Sequence, residues 1–322
     1  MTTSAVDGIL ILDKPGGISS MDAVRNVKRA SGIKRVGHGG TLDPMATGVI
    51  PILLGRATRL MEYMLDSSKE YVGDIFLGVS TDTYDADGNT TLRSDASGIT
   101  QEQVEGILKR FQGRIEQTPP MFSALKRQGK RLYELARQGI EVQREPRNMM
   151  VHSIRLADWR PPIATVQIEC SRGFYMRSLA HDIGTELECG AHLQSLTRLR
   201  TGRFTIADAV SIETVQRSFQ EGWWRELLVS PDSVLGDLRA LVVSERERRD
   251  IQNGRRIYSA QEECALRQDE RFRAYSQEGE FLALLRFDES EKCLKPDKVF
   301  KTLDDQPSSR AFSKSEKSLN IT

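Results

Sequence analysis

The sequence predicts an α+β fold in two domains, and three observations carry that reading. Segments with strand and helix periodicity alternate irregularly, with no βαβ rhythm and no internal repeat. The 322 residues, 39% hydrophobic, suffice for one sizeable core and a smaller second one. Beyond Pro231 the pattern changes to short strands and turns, with Gly254 and Gly279 as turn markers. A first domain over 1–232 and a β-rich one over 233–303 are therefore expected. From Asp304 onward the Ser-, Lys- and Asp-containing segment reads as a disordered tail.

Gly8 to Asp13 reads as a short buried strand and Pro15-Gly16-Gly17 as a turn. Ser19 can cap the next helix, with Asp22 reaching back to it. Ala23, Val27 and Ala30 line one face of that helix and Gly32 stops it. A glycine-rich loop over 36–44 precedes an apolar strand from Val49 to Leu54. A short helix from Arg56 to Met64 and a strand from Tyr71 to Leu77 follow. The clearest helix opens at Thr100, with Gln103 as its capping partner. Val104, Ile107, Leu108 and Phe111 recur at helical spacing, and Gly113 supplies the stop. Residues 117–147 carry little core pattern apart from a short helix near Leu132–Arg137. Thr165 to Cys170 alternates as a strand, and a helix from about Phe174 to Leu187 follows directly.

Net charge is only +1, but it is unevenly spread. Residues 1–60 hold eight Lys/Arg against four Asp/Glu, 61–108 hold two against ten, and 109–147 hold ten against four. Charge alone leaves two readings open, a solvated surface and a local phosphate-binding patch. Cys170, Cys189, Cys264 and Cys293 are widely spaced and form no CxxC pair, which fits reduced thiols. The apolar run Ile9–Leu12 is too short for a leader, and no stretch approaches the ~20 apolar residues that span a bilayer. A soluble, cytoplasmic protein is expected.

Several familiar chemistries fail on spacing. Gly32 to Gly37 has the glycines of a phosphate loop, but His38-Gly39 follow where Lys and Ser/Thr are required. Leu42 stands where a dinucleotide fingerprint needs its third glycine. Asp85-Ala86-Asp87-Gly88 resembles part of a calcium loop whose first and twelfth positions would be Thr83 and Ser94, an incomplete set. His38, His152, His181 and His192 show no metal-ligand spacing, and there is no GxSxG elbow. What remains conspicuous is Asp43 in a loop of three glycines. Such a loop is costly to order and suits a close approach to a ligand, yet Asp43-Pro44 are equally ordinary turn residues.

The run from Gly37 to Val49, GHGGTLDPMATGV, resembles the signature loop of TruB-type transfer-RNA pseudouridine synthases. Leu12 to Ser20 resembles that family's N-terminal motif, and Ser68 to Tyr71 with Asp82 to Gly88 its tyrosine motif. Thr118 to Lys126 and Gly129 to Tyr133 resemble its RNA-binding insertion, and Cys170 to Gly173 with Tyr175, Arg177, Ser178 and Leu179 its arginine motif. These segments keep the family's order from about residue 8 to 205. The chain departs from the pattern at Phe174 and Met176, where a hydroxyl and a β-branched residue are usual.

The resemblance implies a pseudouridine synthase fold, a central mixed, mainly antiparallel sheet flanked by helices and loops. It implies that Asp43 is the essential aspartate, that Tyr71 stacks on the target base and that Arg177 pairs with the aspartate. His38 matches the histidine where the target nucleotide leaves its loop, and Leu196 an apolar residue under the base. Lys14 and Pro15 match a motif supporting the active-site loop. Lys126, Arg127, Lys130 and Arg131 become contacts to RNA phosphates. The implied reaction isomerises uridine 55 in the T loop of transfer RNA, without cofactor or metal, in a monomer. It needs an ionised carboxylate in a closed pocket, a state that a fixed cation such as Arg177 favours. Gly254-Arg255-Arg256 and Phe281 to Phe300 resemble a small PUA-type RNA-binding barrel. Two alternatives are a non-catalytic RNA-binding or tRNA-folding protein on this scaffold, and a metal-dependent phosphohydrolase using Asp82, Asp85 and Asp87.

Overall fold

The computed structural model describes residues 6–300, apart from 124, 128, 137 and 259–265. Contacts divide the chain into two units, Met1–Val234 and Leu235–Thr322. The first carries, in chain order, β1 (Gly8–Lys14), α1 (Ser20–Ser31), β2 (Val36–His38), β3 (Thr47–Leu54), α2 (Met61–Asp66), β4 (Lys69–Leu77), β5 (Val79–Thr81) and β6 (Thr90–Arg93). It continues with α3 (Gln101–Arg110), β7 (Gly113–Gln117), β8 (Lys126–Arg127), β9 (Lys130–Arg131), α4 (Leu132–Ala136), β10 (Arg147–Arg160) and β11 (Ile163–Cys170). It closes with α5 (Met176–Glu186), β12 (Ala191–Thr201), β13 (Phe204–Thr205), α6 (Ile212–Glu221) and β14 (Leu228–Val229).

A ten-stranded sheet organises this unit. Its order is β14-β1-β3-β12-β4-β11-β10-β7, with β2 added to β3 and β13 to β12. Only β3 and β12 run parallel; the other pairs are antiparallel, as the resemblance implies. Strands β1 and β3 lie inside the sheet and read as near-continuous apolar runs, because both faces are covered. Strand β4 instead alternates strictly, burying Lys69, Tyr71, Gly73, Ile75 and Leu77. One core joins Leu10 and Leu12 of β1, Val24 and Val27 of α1, Ile75 of β4, Val104 of α3 and Leu179 and Ile183 of α5. Each such side chain contributes ~1.5–3 kcal/mol by leaving water. Phe174 and Met176, the two departures from the family pattern, are buried in this core.

The helix starts follow from local chemistry. Ser19 and Asp22 form the expected capping box, and Gly32 ends α1 at φ +67°. Thr100 and Gln103 do the same for α3, but that helix ends at Phe111 in right-handed geometry. Gly113, read as the stop, instead opens β7 at φ +93°. The short helix after β3 is a 3₁₀ segment, Gly55–Leu60, running into α2. Strands β10 and β12 and helix α6 were not foreseen. Strand β10 has mostly wet side chains, so its apolar periodicity is weak.

In the second unit β15 (Arg239–Val242), β16 (Arg271–Tyr275), β17 (Phe281–Asp288) and β18 (Cys293–Val299) form one sheet in that order, with α7 (Glu245–Gln252) after β15. Phe272, Leu282, Leu285, Leu294 and Ile251 make its core. Gly254 and Gly279 are left-handed turn residues, as their sequence context suggests. Cys170, Cys189 and Cys293 are buried free thiols. The expected tail from Asp304, Cys264 and the helix end at Arg137 lie outside the described residues.

Candidate active site

Asp43 stands between β2 and β3 in a loop fastened at both flanks. The Ser20 hydroxyl donates to Leu42 O (2.9 Å) and accepts from Leu42 N (2.8 Å), tying the loop to α1. On the other side Gly17 N donates to Pro44 O at 2.9 Å. Lys14 Nζ donates to Pro44 O (3.2 Å) and to Pro15 O and Ile18 O (both 2.8 Å). Lys14 is wholly buried, and that burial pulls its pKa down to about 8, while the Asp43 charge opposes the shift. Asp43 O accepts from Ala46 N at 3.1 Å, so Asp43 opens a turn. The turn reading of the loop thus holds at Asp43.

Arg177, in the first turn of α5, meets the Asp43 carboxylate fork to fork. Nε donates to Oδ2 at 2.9 Å and Nη2 to Oδ1 at 3.0 Å. The arginine side chain is 4% exposed and the aspartate 32%, so the pair is anchored inside and open at the carboxylate end. Nη2 also donates to Phe122 O (2.9 Å) and Nη1 to Thr83 O (3.5 Å). The helix start lacks a side-chain cap; Gln117 instead accepts from Tyr175 N (2.8 Å) and donates to Tyr175 O (3.0 Å). The root of the 117–147 segment thus sets the helix that carries Arg177.

A second carboxylate approaches Arg177 from behind. Asp85 Oδ2 lies 3.6 Å from Nη1, in a residue 7% exposed. Burial raises the Asp85 pKa, opposed by the Thr83 hydroxyl, which donates to Oδ1 at 2.5 Å, and by Arg177. The reading of Asp82, Asp85 and Asp87 as one metal set is corrected by this geometry. Asp85 serves Arg177, while Asp82 accepts from Asn89 N (2.8 Å) and Nδ2 (3.1 Å). Among the described residues, no three His, Cys, Asp or Glu side chains group as a metal ion needs.

Tyr71 is 9% exposed on β4, in the same core cluster as Leu196 of β12, itself 7% exposed. Gly73 faces Leu196 across the two strands, and a Cβ at Gly73 would stand 3.3 Å from a Leu196 methyl. His38 ends β2, and its Nδ1 accepts from Gly40 N at 3.4 Å. Burial lowers its pKa and the Arg198 charge adds to that, so the ring is neutral near pH 7. Asp43, Arg177, Tyr71, His38, Lys14 and Leu196 therefore belong to one unit, on or beside adjoining strands. The backbones of Lys126–Arg127 and Lys130–Arg131 form a two-residue hairpin, β8 with β9, around Gly129 at φ +84°. The side chains of those four lie outside the described residues.

An ion-paired, partly open carboxylate in one unit with a buried aromatic can act on a ring substrate as nucleophile or base. Comparison with known proteins narrows this. Residues 28–176 match the model of the TruB family pseudouridylate synthase N-terminal domain. Residues 177–241 match that of the tRNA pseudouridylate synthase B C-terminal domain. The chain is 42% identical to a tRNA pseudouridine synthase B of Dehalococcoides mccartyi strain CBDB1, over 92% of this chain and 97% of that one. The chain belongs to the TruB family of pseudouridylate synthases. A tRNA pseudouridine synthase B of Symbiobacterium thermophilum is 48% identical over 76% of this chain and 80% of its own length. A chain of a solved Cbf5–Nop10–Gar1 complex superposes with a TM-score of 0.69 at 23% identity, covering 92% of this chain and 86% of that one, a likeness of fold.

Two residues escaped the sequence reading. Asp85 was visible only as one acid among three. Arg198 is 1% exposed in the middle of β12, bonded to the carbonyls of Gly40, Thr41 and Val49. Its one signal was an arginine two residues from Leu196 in an alternating strand.

Proposed function

We propose that this protein isomerises uridine 55 in the T loop of transfer RNA to pseudouridine, with Asp43 acting on a flipped-out uridine. The observation that carries the reading is the buried fork of Arg177 on the partly open carboxylate of Asp43. In the reaction the bond from ribose C1′ to uracil N1 breaks, the base turns, and C5 bonds to C1′. The proton leaves C5 and N1 gains one, so the change is redox-neutral and consumes no co-reactant. Asp43 acts at C1′ or its neighbouring proton, and Arg177 keeps the carboxylate ionised and aimed. Tyr71 packs on the base and Leu196 lies beneath it. Stacking of this kind is worth ~1–3 kcal/mol, against a few kcal/mol for unstacking the base. His38 marks the exit of the target nucleotide, and Lys14 holds the loop.

The same reading gives residues 1–232 the catalysis and residues 117–147 the grip on RNA phosphates through Lys126, Arg127, Lys130 and Arg131. Residues 233–303 act as a PUA-like domain on the stem near the acceptor end. A T-arm hairpin is recognised by folded shape and splayed bases. The protein works as a monomer in the cytoplasm; no helix of the described residues is long and apolar enough to cross a membrane. The test is incubation with an unmodified T-arm hairpin in excess chelator, read by mass spectrometry after carbodiimide labelling. Pseudouridine at position 55 is expected. Binding without conversion would make the protein an RNA-folding factor, and conversion lost to chelator would restore a metal mechanism.

A further inference from the structure

Arg198 is a buried cation bonded to backbone carbonyls. It is 1% exposed, and no Asp or Glu of the described residues forms an ion pair with it. Its charge is met by backbone carbonyls: Nε donates to Val49 O (2.7 Å), Nη1 to Thr41 O (3.3 Å) and Nη2 to Gly40 O (3.1 Å). Gly40 and Thr41 lie just before Asp43 in its loop. Arg198 is also the register partner of Tyr71 across β4 and of Gly48 across β3. Burial raises the Tyr71 phenol above its usual pKa, while the charge of Arg198 opposes this. The backbone makes room for it: Gly48 sits at φ +97°, and a Cβ there would lie 2.3 Å from Arg198 O.

We propose that Arg198 is a positioning residue for the reaction, holding the loop of Asp43 and the ring of Tyr71 in one frame. The argument rests on the roles given to Asp43 and Tyr71 above. A guanidinium presents several donors in one plane, so it can hold carbonyls on both sides of Asp43 while standing across the strand pair from Tyr71. The Asp43 carboxylate is set from one side by Arg177 and its peptide chain from the other by Arg198. Without Arg198 the Gly40 and Thr41 carbonyls lose their partner, and the loop keeps only its Ser20, Gly17 and Lys14 ties, none of which holds residues 40 and 41. The distance between the carboxylate and the stacked base then varies. An ammonium at this place keeps the charge but cannot span the three carbonyls.

The test uses R198K and R198M in the full chain, with hairpin affinity, single-turnover rate at saturating RNA and thermal unfolding measured on each. Both variants should bind the hairpin within about threefold of the parent protein, since Arg198 touches no RNA. The rate per folded molecule should fall roughly 100-fold in R198M and about tenfold in R198K, as expected for a misplaced reacting group. Combining R198K with Y71F should cost less than the product of the two single losses, because both change one cross-strand pair. A rate within threefold of the parent in both variants would overturn the proposal, as would a loss confined to affinity. Failure of both variants to fold would place Arg198 in the fold alone and overturn it too. Absence of pseudouridine with the unaltered protein would instead remove the proposed function, so the two failures are distinct.

Discussion

The guanidinium of Arg177 and the carboxylate of Asp43 are joined by two hydrogen bonds, 2.9 and 3.0 Å, across 134 residues of chain. A bidentate pair fixes orientation as well as charge. Lysine at 177 keeps the charge and loses the fork. R177K should therefore reduce single-turnover rate roughly 100-fold or more, with hairpin affinity much less changed. An R177K enzyme turning over within threefold of the parent would show that charge alone suffices.

The close crossing of β3 and β12 leaves no space at Gly48. A methyl there would meet backbone atoms of Arg198, the nearest at 2.3 Å, in a left-handed conformation of φ +97°. G48A should lose about 3 kcal/mol or more, read as a lower denaturant midpoint. A loss below about 1 kcal/mol would mean that the two strands can part without cost.

Legibility in the sequence followed the range of the interaction. The capping pairs Ser19–Asp22 and Thr100–Gln103 are local, and the sequence shows them. The Asp43 loop was recognisable because its glycines and aspartate are contiguous. Arg177, Tyr71 and Lys14 had no local signal and came from the motif resemblance; the structure joins Arg177 to Asp43 and Lys14 to the Asp43 loop. Arg198 was missed because an arginine in a strand reads as exposed, and its carbonyl partners lie about 150 residues away. Asp85 was missed for a related reason: its partner Arg177 is remote, and its neighbours Asp82 and Asp87 suggested a metal.

Asp182 on α5 gives the fold a pH dependence. Burial, with the Glu186 charge adding, raises its pKa from 3.8 to about 6. The folded state thus holds a proton that the unfolded state releases. The stability this contributes is complete below pH 3.8 and is lost as pH rises through about 6. D182N should be more stable than the parent at pH 8, by about 1–2 kcal/mol once solvent screening is allowed for, and should match the parent at pH 4, with no gain there. An equal gain at both pH values would assign the effect to packing.

The β8–β9 hairpin carries four basic residues at its paired positions. Replacing all four, K126A/R127A/K130A/R131A, should weaken hairpin binding and reduce the slope of log affinity against log salt by about 3. Unchanged affinity and slope would mean that this arm does not touch RNA.

The central claim is that Asp43 performs chemistry and is not needed merely to shape its loop, which Ser20, Lys14 and Gly17 already hold. Asp43→Asn, with affinity and turnover measured on one T-arm hairpin, tests it most directly. The account predicts affinity within roughly tenfold of the parent, about 1.4 kcal/mol, and no detectable pseudouridine. Turnover that persists, or binding that collapses along with it, would contradict the assignment.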